Sequence, residues 1–149
     1  MRKLGTVLVV AVLMSGSSWA VDVGPVDQKK PPAKKDLVIP KKDDGIEVVE
    51  LRETIKGKAA STEKRNLYVL VNPLSNEEMS AKVWWVQQEV SRDGEAISAV
   101  AQFGEETGGS GEYFVILAVA TNKNWSGGET IEILPEDAAY SKIKIVKRK

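Results

Sequence analysis

The fold is decided by the longest apolar run beyond residue 20, the eight residues Tyr113-Phe114-Val115-Ile116-Leu117-Ala118-Val119-Ala120. The run is bounded by Gly111 on one side and by Asn122 on the other. Its length and its aromatic and β-branched residues favour a strand over a helix. Because both of its faces are apolar, the sequence predicts a central strand buried on both sides.

Outward from this run, the pattern of short strands continues in both directions. Leu67 to Val71 is a second continuous apolar run and ends at Asn72-Pro73. Asp93-Gly94 is a strong hairpin signal. Lys142 to Lys147 is lysine-flanked, which is typical of a protected edge strand. About seven or eight strands are predicted between residues 45 and 149, with turn signals roughly every ten residues. This spacing predicts an all-β fold, a single β-sandwich, with a small open β-barrel as the alternative.

The next predicted strand contains two consecutive tryptophans, one assigned to the core and one to the surface. Trp84 and Trp85 must point to opposite faces of any strand that contains them. Trp84 shares its face with the apolar Val86, whereas Trp85 shares its face with Gln87 and Glu89. The alternation therefore predicts that Trp84 is a core residue and that Trp85 lies at the surface.

The chain before residue 45 has a different composition. Residues 1–20 have a basic start, an apolar run and small residues before Ala20, the pattern of a cleaved signal peptide. Residues 21–44 contain four of the six prolines and six lysines, which predicts a solvated, Pro/Lys-rich linker, with docking of Leu37-Val38-Ile39 as an edge strand left open. Residues 45–149 form the expected domain. The apolar run of the leader is about half the ~20 residues that a spanning helix needs. We therefore expect a secreted or periplasmic protein with no transmembrane segment after cleavage.

The composition excludes several classes of catalytic and binding site. The chain has no cysteine and no histidine, so Ser-His-Asp triads and Cys-His pairs are excluded. No phosphate-binding motif is present, and the acidic pairs lack the spacing of a calcium loop. Cleavage after Ala20 leaves 19 basic against 21 acidic residues, a net charge of −2, which does not favour nucleic acid as a partner. The sequence predicts a protein that is not an enzyme, with no catalytic residue, metal site or cofactor.

The remaining candidates for function are aromatic and polar side chains. An exposed Trp85 beside Gln87 and Glu89 combines a flat apolar ring with hydrogen-bonding groups, as in a platform for glycan or peptide. Trp125, in a turn-rich loop, is a second candidate, and both rings have the alternative of packing against covering loops. The expected partner is a protein or polysaccharide of the cell envelope or extracellular space. The alternative function is a structural or accessory subunit of an envelope or extracellular assembly, docked through the linker or an edge strand.

Several core motifs together resemble a bacterial exported accessory domain of unassigned function. In this pattern an aromatic-aliphatic strand ends at proline, an aromatic pair precedes Gln, and a glycine-rich turn leads into a long apolar strand. The matching segments are Leu67 to Pro73, Trp84-Trp85-Val86-Gln87, Phe103-Gly104 and Gly111 to Val119. The resemblance covers roughly residues 45–149 and implies an immunoglobulin-like sandwich. It carries over no catalytic residue, because the shared motifs are core positions.

Overall fold

The computed structural model describes residues 20–74 and 83–149. Within these ranges the chain is all-β, with one short 3₁₀ helix at Lys34–Asp36. The strands form two separate sheets, one of seven strands and one of four, and neither closes into a barrel. The prediction of an all-β fold consistent with a β-sandwich is thus confirmed. No helix in the described ranges has the length and apolar character needed to cross a membrane.

Eleven strands are described, and we number them in chain order. They are β1 Val21–Pro25, β2 Glu47–Val49, β3 Arg52–Lys58, β4 Asn66–Leu74, β5 Trp84–Val86, β6 Ser91–Asp93, β7 Ala96–Gln102, β8 Tyr113–Thr121, β9 Thr130–Ile131, β10 Ala138–Tyr140 and β11 Lys144–Arg148.

The larger sheet is built around the two strands that the sequence marks as central. Its order is β9-β5-β4-β8-β11-β2, and β10 also pairs with β8. Strands β4 and β8 are antiparallel over nine residue pairs, from Asn66 opposite Thr121 to Leu74 opposite Tyr113. Every residue of β8 after Tyr113 is buried, because both faces of this strand are covered. The predicted central strand is therefore confirmed.

The smaller sheet covers part of one face of the larger sheet. Its order is β1-β3-β7-β6, and β6 and β7 form the hairpin that Asp93-Gly94 predicts. Apolar side chains of both sheets meet between the two layers. Phe103 and Phe114 pack together in this interior, with ring centroids 5.5 Å apart in an edge-to-face arrangement.

The other face of the larger sheet is covered by loop segments rather than by a third sheet. Leu37 and Leu134 pack there with Trp84 and Tyr140. Tyr140 is fully buried, and its hydroxyl donates to the carbonyl oxygen of Pro135. Burial raises the pKa of the Tyr140 phenol to about 12 because the low-dielectric surroundings disfavour the phenolate.

Two parts of the segment 21–44, which the composition predicts as a linker, pack on the domain. Val21 to Pro25 form β1, which pairs in parallel with β3, and Val21 is fully buried. Leu37, at 7% exposure, packs on the second core. The alternating Val21 and Val23 are a short strand signal that the surrounding prolines and lysines concealed. The leader before residue 20 and the loop at residues 75–82 lie outside the described residues.

The C-terminal strand is also placed differently from the expectation. Lysines around Ile143 and Ile145 predict an edge strand, but β11 lies between β8 and β2. Strand β2 pairs with it in parallel, from Val146 opposite Glu47 to Arg148 opposite Val49. A segment almost a hundred residues upstream therefore covers the edge, which local composition does not reveal.

Candidate functional site

The candidate site lies where the chain crosses from the larger sheet to the smaller one. Strand β5 belongs to the larger sheet and β6 to the smaller sheet, so the intervening residues 87–90 bridge the two layers. Two hollows flank this crossover. We call them the Trp85 groove, on the side of Val71 and Val100, and the Trp125 hollow, on the side of Asn66 and Tyr68.

The two tryptophans of β5 point as the sequence predicts. Trp84 is 3% exposed and packs in the second core, whereas Trp85 is 45% exposed. Trp85 is opposite Val71 in the register of β4 and β5, so it shares the face of Val71 that looks toward the smaller sheet. The smaller sheet does not cover this edge, which leaves the indole of Trp85 partly in solvent.

The Trp85 groove has a volume of about 770 Å³. Its lining includes Val71, Pro73 and Phe114 from the inner face of the larger sheet, together with Trp85 and the 41%-exposed Val100. Glycines from two loops also line it: Gly104, Gly108, Gly109, Gly127 and Gly128. Because glycines lack side chains, a ligand can approach the backbone closely at these walls.

Gln87, a predicted contact residue, is engaged within the protein. Its side-chain nitrogen donates to the carbonyl oxygen of Trp85 at 2.9 Å, and its side-chain oxygen accepts from the Gln102 amide at 2.8 Å. The side chain therefore links β5 of the larger sheet to β7 of the smaller sheet. These two bonds hold the Gln87 side chain in place at the border of the groove.

Arg148 organises the glycine-rich loop that borders the groove. Its guanidinium donates to the carbonyl oxygens of Phe103, Glu105 and Gly108, at 3.0 Å for Phe103 and 2.7 Å for Glu105. Gly109 has a φ of +95°, and a Cβ there would lie 2.8 Å from the Arg148 guanidinium. The sequence identified this loop as glycine-rich but gave no signal for the arginine at its centre, 37 or more residues further along the chain.

The Trp125 hollow, of about 620 Å³, brings together the other predicted residues. Gln87, Glu89 and Trp125 all line it. Trp125 is half-buried and packs on Tyr68, with ring centroids 4.9 Å apart and planes tilted by 44°. The Tyr68 hydroxyl donates to the carbonyl oxygen of Lys123 at 3.0 Å and accepts from the Trp125 amide at 2.9 Å. These groups stabilise the loop around Trp125.

The four predicted residues therefore do not form a single platform. Trp85 lines only the groove, Glu89 and Trp125 line only the hollow, and Gln87 lies between them. The parity of a strand placed Trp85 correctly at the surface. It did not reveal that the chain leaves the sheet after Val86 and passes between the two sites.

A strong ion pair lies at the wall of the hollow. The Arg65 guanidinium donates two hydrogen bonds of 2.8 Å to the Glu63 carboxylate. Hydrogen bonding to Arg65 lowers the pKa of the Glu63 carboxyl to about 2. Since each group satisfies the other, the pair fixes the turn before β4 and leaves little capacity for proton transfer at this site.

The described part of the chain contains no group of three or more acidic side chains placed to hold a metal ion. Comparison with protein-family models, with curated proteins and with solved structures gave no match to this chain.

Proposed function

We propose that this protein is an exported, non-catalytic binding module that holds an extended polymer, peptide or glycan, in the Trp85 groove. The observation that carries the proposal is the 45% exposure of Trp85 at an edge where the inner face of the larger sheet is left uncovered. A large aromatic side chain at the mouth of an apolar groove is a common anchor for ligands.

The shape of the groove supports an elongated ligand. Its volume of about 770 Å³ falls within the range of ligand sites, and its lining residues come from both sheets. Trp85 and Val100 provide apolar contact, while Gly108 and Gly127 leave backbone accessible. The non-catalytic part of the proposal rests on the absence of histidine and cysteine from the sequence.

The alternative, a subunit of an envelope or extracellular assembly, uses the same surface in a different way. In that case the occupant of the groove is a neighbouring subunit, and partners are proteins of the envelope or extracellular space. The resemblance to exported immunoglobulin-like accessory domains is compatible with both proposals. Because it rests on core motifs, it favours neither of them.

The test is direct binding to arrays of extended peptides and of polysaccharides, followed by calorimetry with each positive ligand. Trp85→Ala is expected to weaken binding by at least about tenfold, because a buried tryptophan contact contributes on the order of 2 kcal/mol. Ile133→Ala is the matched control, since Ile133 is 85% exposed and does not line the groove. Equal binding by both variants would place the ligand elsewhere and refute the proposed function.

Export has a separate test. Expression of the full chain in a bacterium and fractionation of the cells should recover the protein outside the cytoplasm, with Val21 as its first residue by N-terminal sequencing. Recovery of the intact chain in the cytoplasm would contradict export while leaving the groove proposal untouched.

A further inference from the structure

The Trp125 hollow is a second concave surface that the proposed function does not use. Its volume of about 620 Å³ lies within the range of small-ligand sites. Its lining combines the Tyr68 and Trp125 rings with aliphatic and polar side chains. The aliphatic members are Leu67, Val86 and Val90. The hollow therefore offers a ligand both apolar contact and hydrogen bonds.

The loop that carries Trp125 is fixed by the protein itself. The carbonyl oxygen of Lys123 accepts from the Asn66 side-chain amide at 2.9 Å and from the Tyr68 hydroxyl at 3.0 Å. The same hydroxyl accepts from the backbone amide of Trp125 at 2.9 Å. These bonds join the loop to β4 across 55–57 positions of the chain. A surface that is already ordered costs little entropy when a ligand binds, so the fixed position of Trp125 favours binding.

The indole N–H of Trp125 is a hydrogen-bond donor left open at this surface. Trp125 is half-buried, and its ring packs on Tyr68 with centroids 4.9 Å apart. In the described ranges no group accepts a hydrogen bond from the indole nitrogen. The only buried side-chain atoms without a partner there belong to Asn72, so the indole nitrogen is in contact with solvent. A ligand in the hollow can therefore accept a hydrogen bond from it.

The arginines and one carboxylate of the hollow are engaged within the protein. The Glu63 carboxylate accepts two hydrogen bonds of 2.8 Å from Arg65, and Arg92 donates to three backbone carbonyl oxygens of the turn before β4. Lys64 and Glu89 are of opposite sign, and their side chains have no partner among the described residues. With three basic and two acidic side chains, the lining has no strong field of either sign. A neutral polar ligand is therefore favoured over an anion or a cation.

A sugar residue matches these groups in kind. Neighbouring hydroxyls of a sugar can both meet one planar amide or carboxylate head, and each hydroxyl donates as well as accepts. Side chains with such heads line the hollow: Asn66, Gln87, Glu89 and Asn124. The Asn124 head has only one long contact, 3.5 Å to the Asn66 nitrogen, and the Glu89 head has no partner among the described residues. The C–H face of the sugar ring would lie against Trp125, whose ring is apolar and whose N–H is polar.

We infer that the Trp125 hollow is a second binding site, separate from the Trp85 groove, and that it binds a neutral sugar residue of a glycan. The Trp125 ring contacts the apolar face of the sugar and its indole N–H donates to a hydroxyl. The heads of Asn124 and Glu89 bind neighbouring hydroxyls. The inference goes beyond the proposed function, because it does not depend on what the Trp85 groove binds.

The test follows the Trp125 indole resonance of the purified protein by NMR while a neutral oligosaccharide is added. The probes are cellotetraose, maltotetraose and chitotetraose, and Trp125→Phe assigns the resonance. At least one probe should shift it in a saturable way, by the same amount at low and high salt, because salt does not screen an uncharged ligand. The absence of a saturable shift with all three probes, or a shift that disappears at high salt, would overturn the inference.

Two substitutions separate the contribution of the Trp125 ring from that of its N–H. Trp125→Phe keeps an aromatic ring on Tyr68 and removes the donor, so it should bind the sugar about fivefold more weakly. Trp125→Ala removes the ring as well and should bind at least about tenfold more weakly. Ile133→Ala is the matched control, since Ile133 is 85% exposed and does not line the hollow. Undiminished binding by Trp125→Phe, in which the loop stays packed, would overturn the inference.

The Trp85 and Trp125 resonances distinguish this inference from the proposed function. If an oligosaccharide shifts the Trp85 resonance alone, the groove binds ligands and the second site is refuted. If it shifts the Trp125 resonance alone, and no peptide or polysaccharide shifts that of Trp85, the second site stands and the proposed function falls. A Trp125 shift caused by a capped peptide of alternating threonine and valine, and by no saccharide, would make the occupant a protein segment and overturn the sugar assignment.

Discussion

Replacing Gly57 by alanine tests the docking of the N-terminal strand. Gly57 is the sixth of the seven residues of β3 and lies beside β1, where the register between the two strands shifts. A Cβ at this position would lie 2.9 Å from the carbonyl oxygen of Gly24 and 3.1 Å from a methyl carbon of Val23. Both distances are shorter than ordinary van der Waals contact, and the nearer atom is backbone, so β1 must move.

The expected magnitude follows from two opposing terms. Alanine in a strand interior is normally more stable than glycine by about 0.5–1 kcal/mol. The overpacking against β1 costs about 1–3 kcal/mol, which gives a net loss of about 0–2.5 kcal/mol, centred near 1 kcal/mol. The upper limit is complete detachment of β1, which exposes the buried Val21 and Val23 at a cost of about 3–6 kcal/mol.

Thermal unfolding and native-state hydrogen exchange provide the assay. The Tm of Gly57→Ala should be lower by roughly 4–8 °C. Amides of β1 should exchange roughly 5–30-fold faster than in the wild type, because local opening becomes easier. Gly108→Ala is the control, since an added Cβ there meets nothing within 4 Å. A Tm for Gly57→Ala at or above that of the wild type, with β1 still protected, would refute the packing argument.

Three further substitutions test the interior and the loops. Because the folded pKa of Glu63 is about 2 against an ordinary value of 4.5, its contribution to stability is complete above pH 4.5 and is lost as the pH falls toward 2. The shift corresponds to at most about 3 kcal/mol, reduced to about 1–2 kcal/mol by solvent, so Glu63→Gln should flatten the pH dependence of urea unfolding by that amount. Arg148→Met should cost about 1 kcal/mol in urea unfolding and weaken ligand binding, because it removes the Nη1 donor that the carbonyl oxygens of Phe103, Glu105 and Gly108 share; unchanged values would exclude the arginine as the organiser of the loop. The side-chain amide of the fully buried Asn72 has no partner among the described residues, so Asn72→Leu should raise the free energy of unfolding by about 1–2 kcal/mol; a loss would reveal a partner for that amide.

Local patterns predicted the interior of the protein well. The apolar run ending at Ala120 and the shorter one ending at Val71 are both central strands, because a strand apolar on both faces can be accommodated only between two layers. The alternation around Trp84 and Trp85 assigned each ring to the correct side, since the two-residue period of a strand is fixed by its geometry.

Patterns of composition were less informative at the chain ends. Proline and lysine between residues 21 and 44 indicated a solvated linker, yet β1 and Leu37 are packed on the domain. An added Cβ at Gly57 would meet the backbone of β1, so this position of β3 requires a residue without a side chain. Both features depend on contacts between segments about thirty residues apart, which a local window does not contain.

The sequence by itself determined the class of fold, the two central strands and the exposure of Trp85, because hydrophobic alternation acts over a few neighbouring residues. Only the tertiary structure decided that Gln87 is engaged in linking the sheets, that Trp85 and Trp125 lie in separate hollows, and that β6 pairs with only the first three residues of β7. These properties depend on how far one sheet extends over the other. That overlap is set by the packing of distant strands, and no single stretch of the chain encodes it.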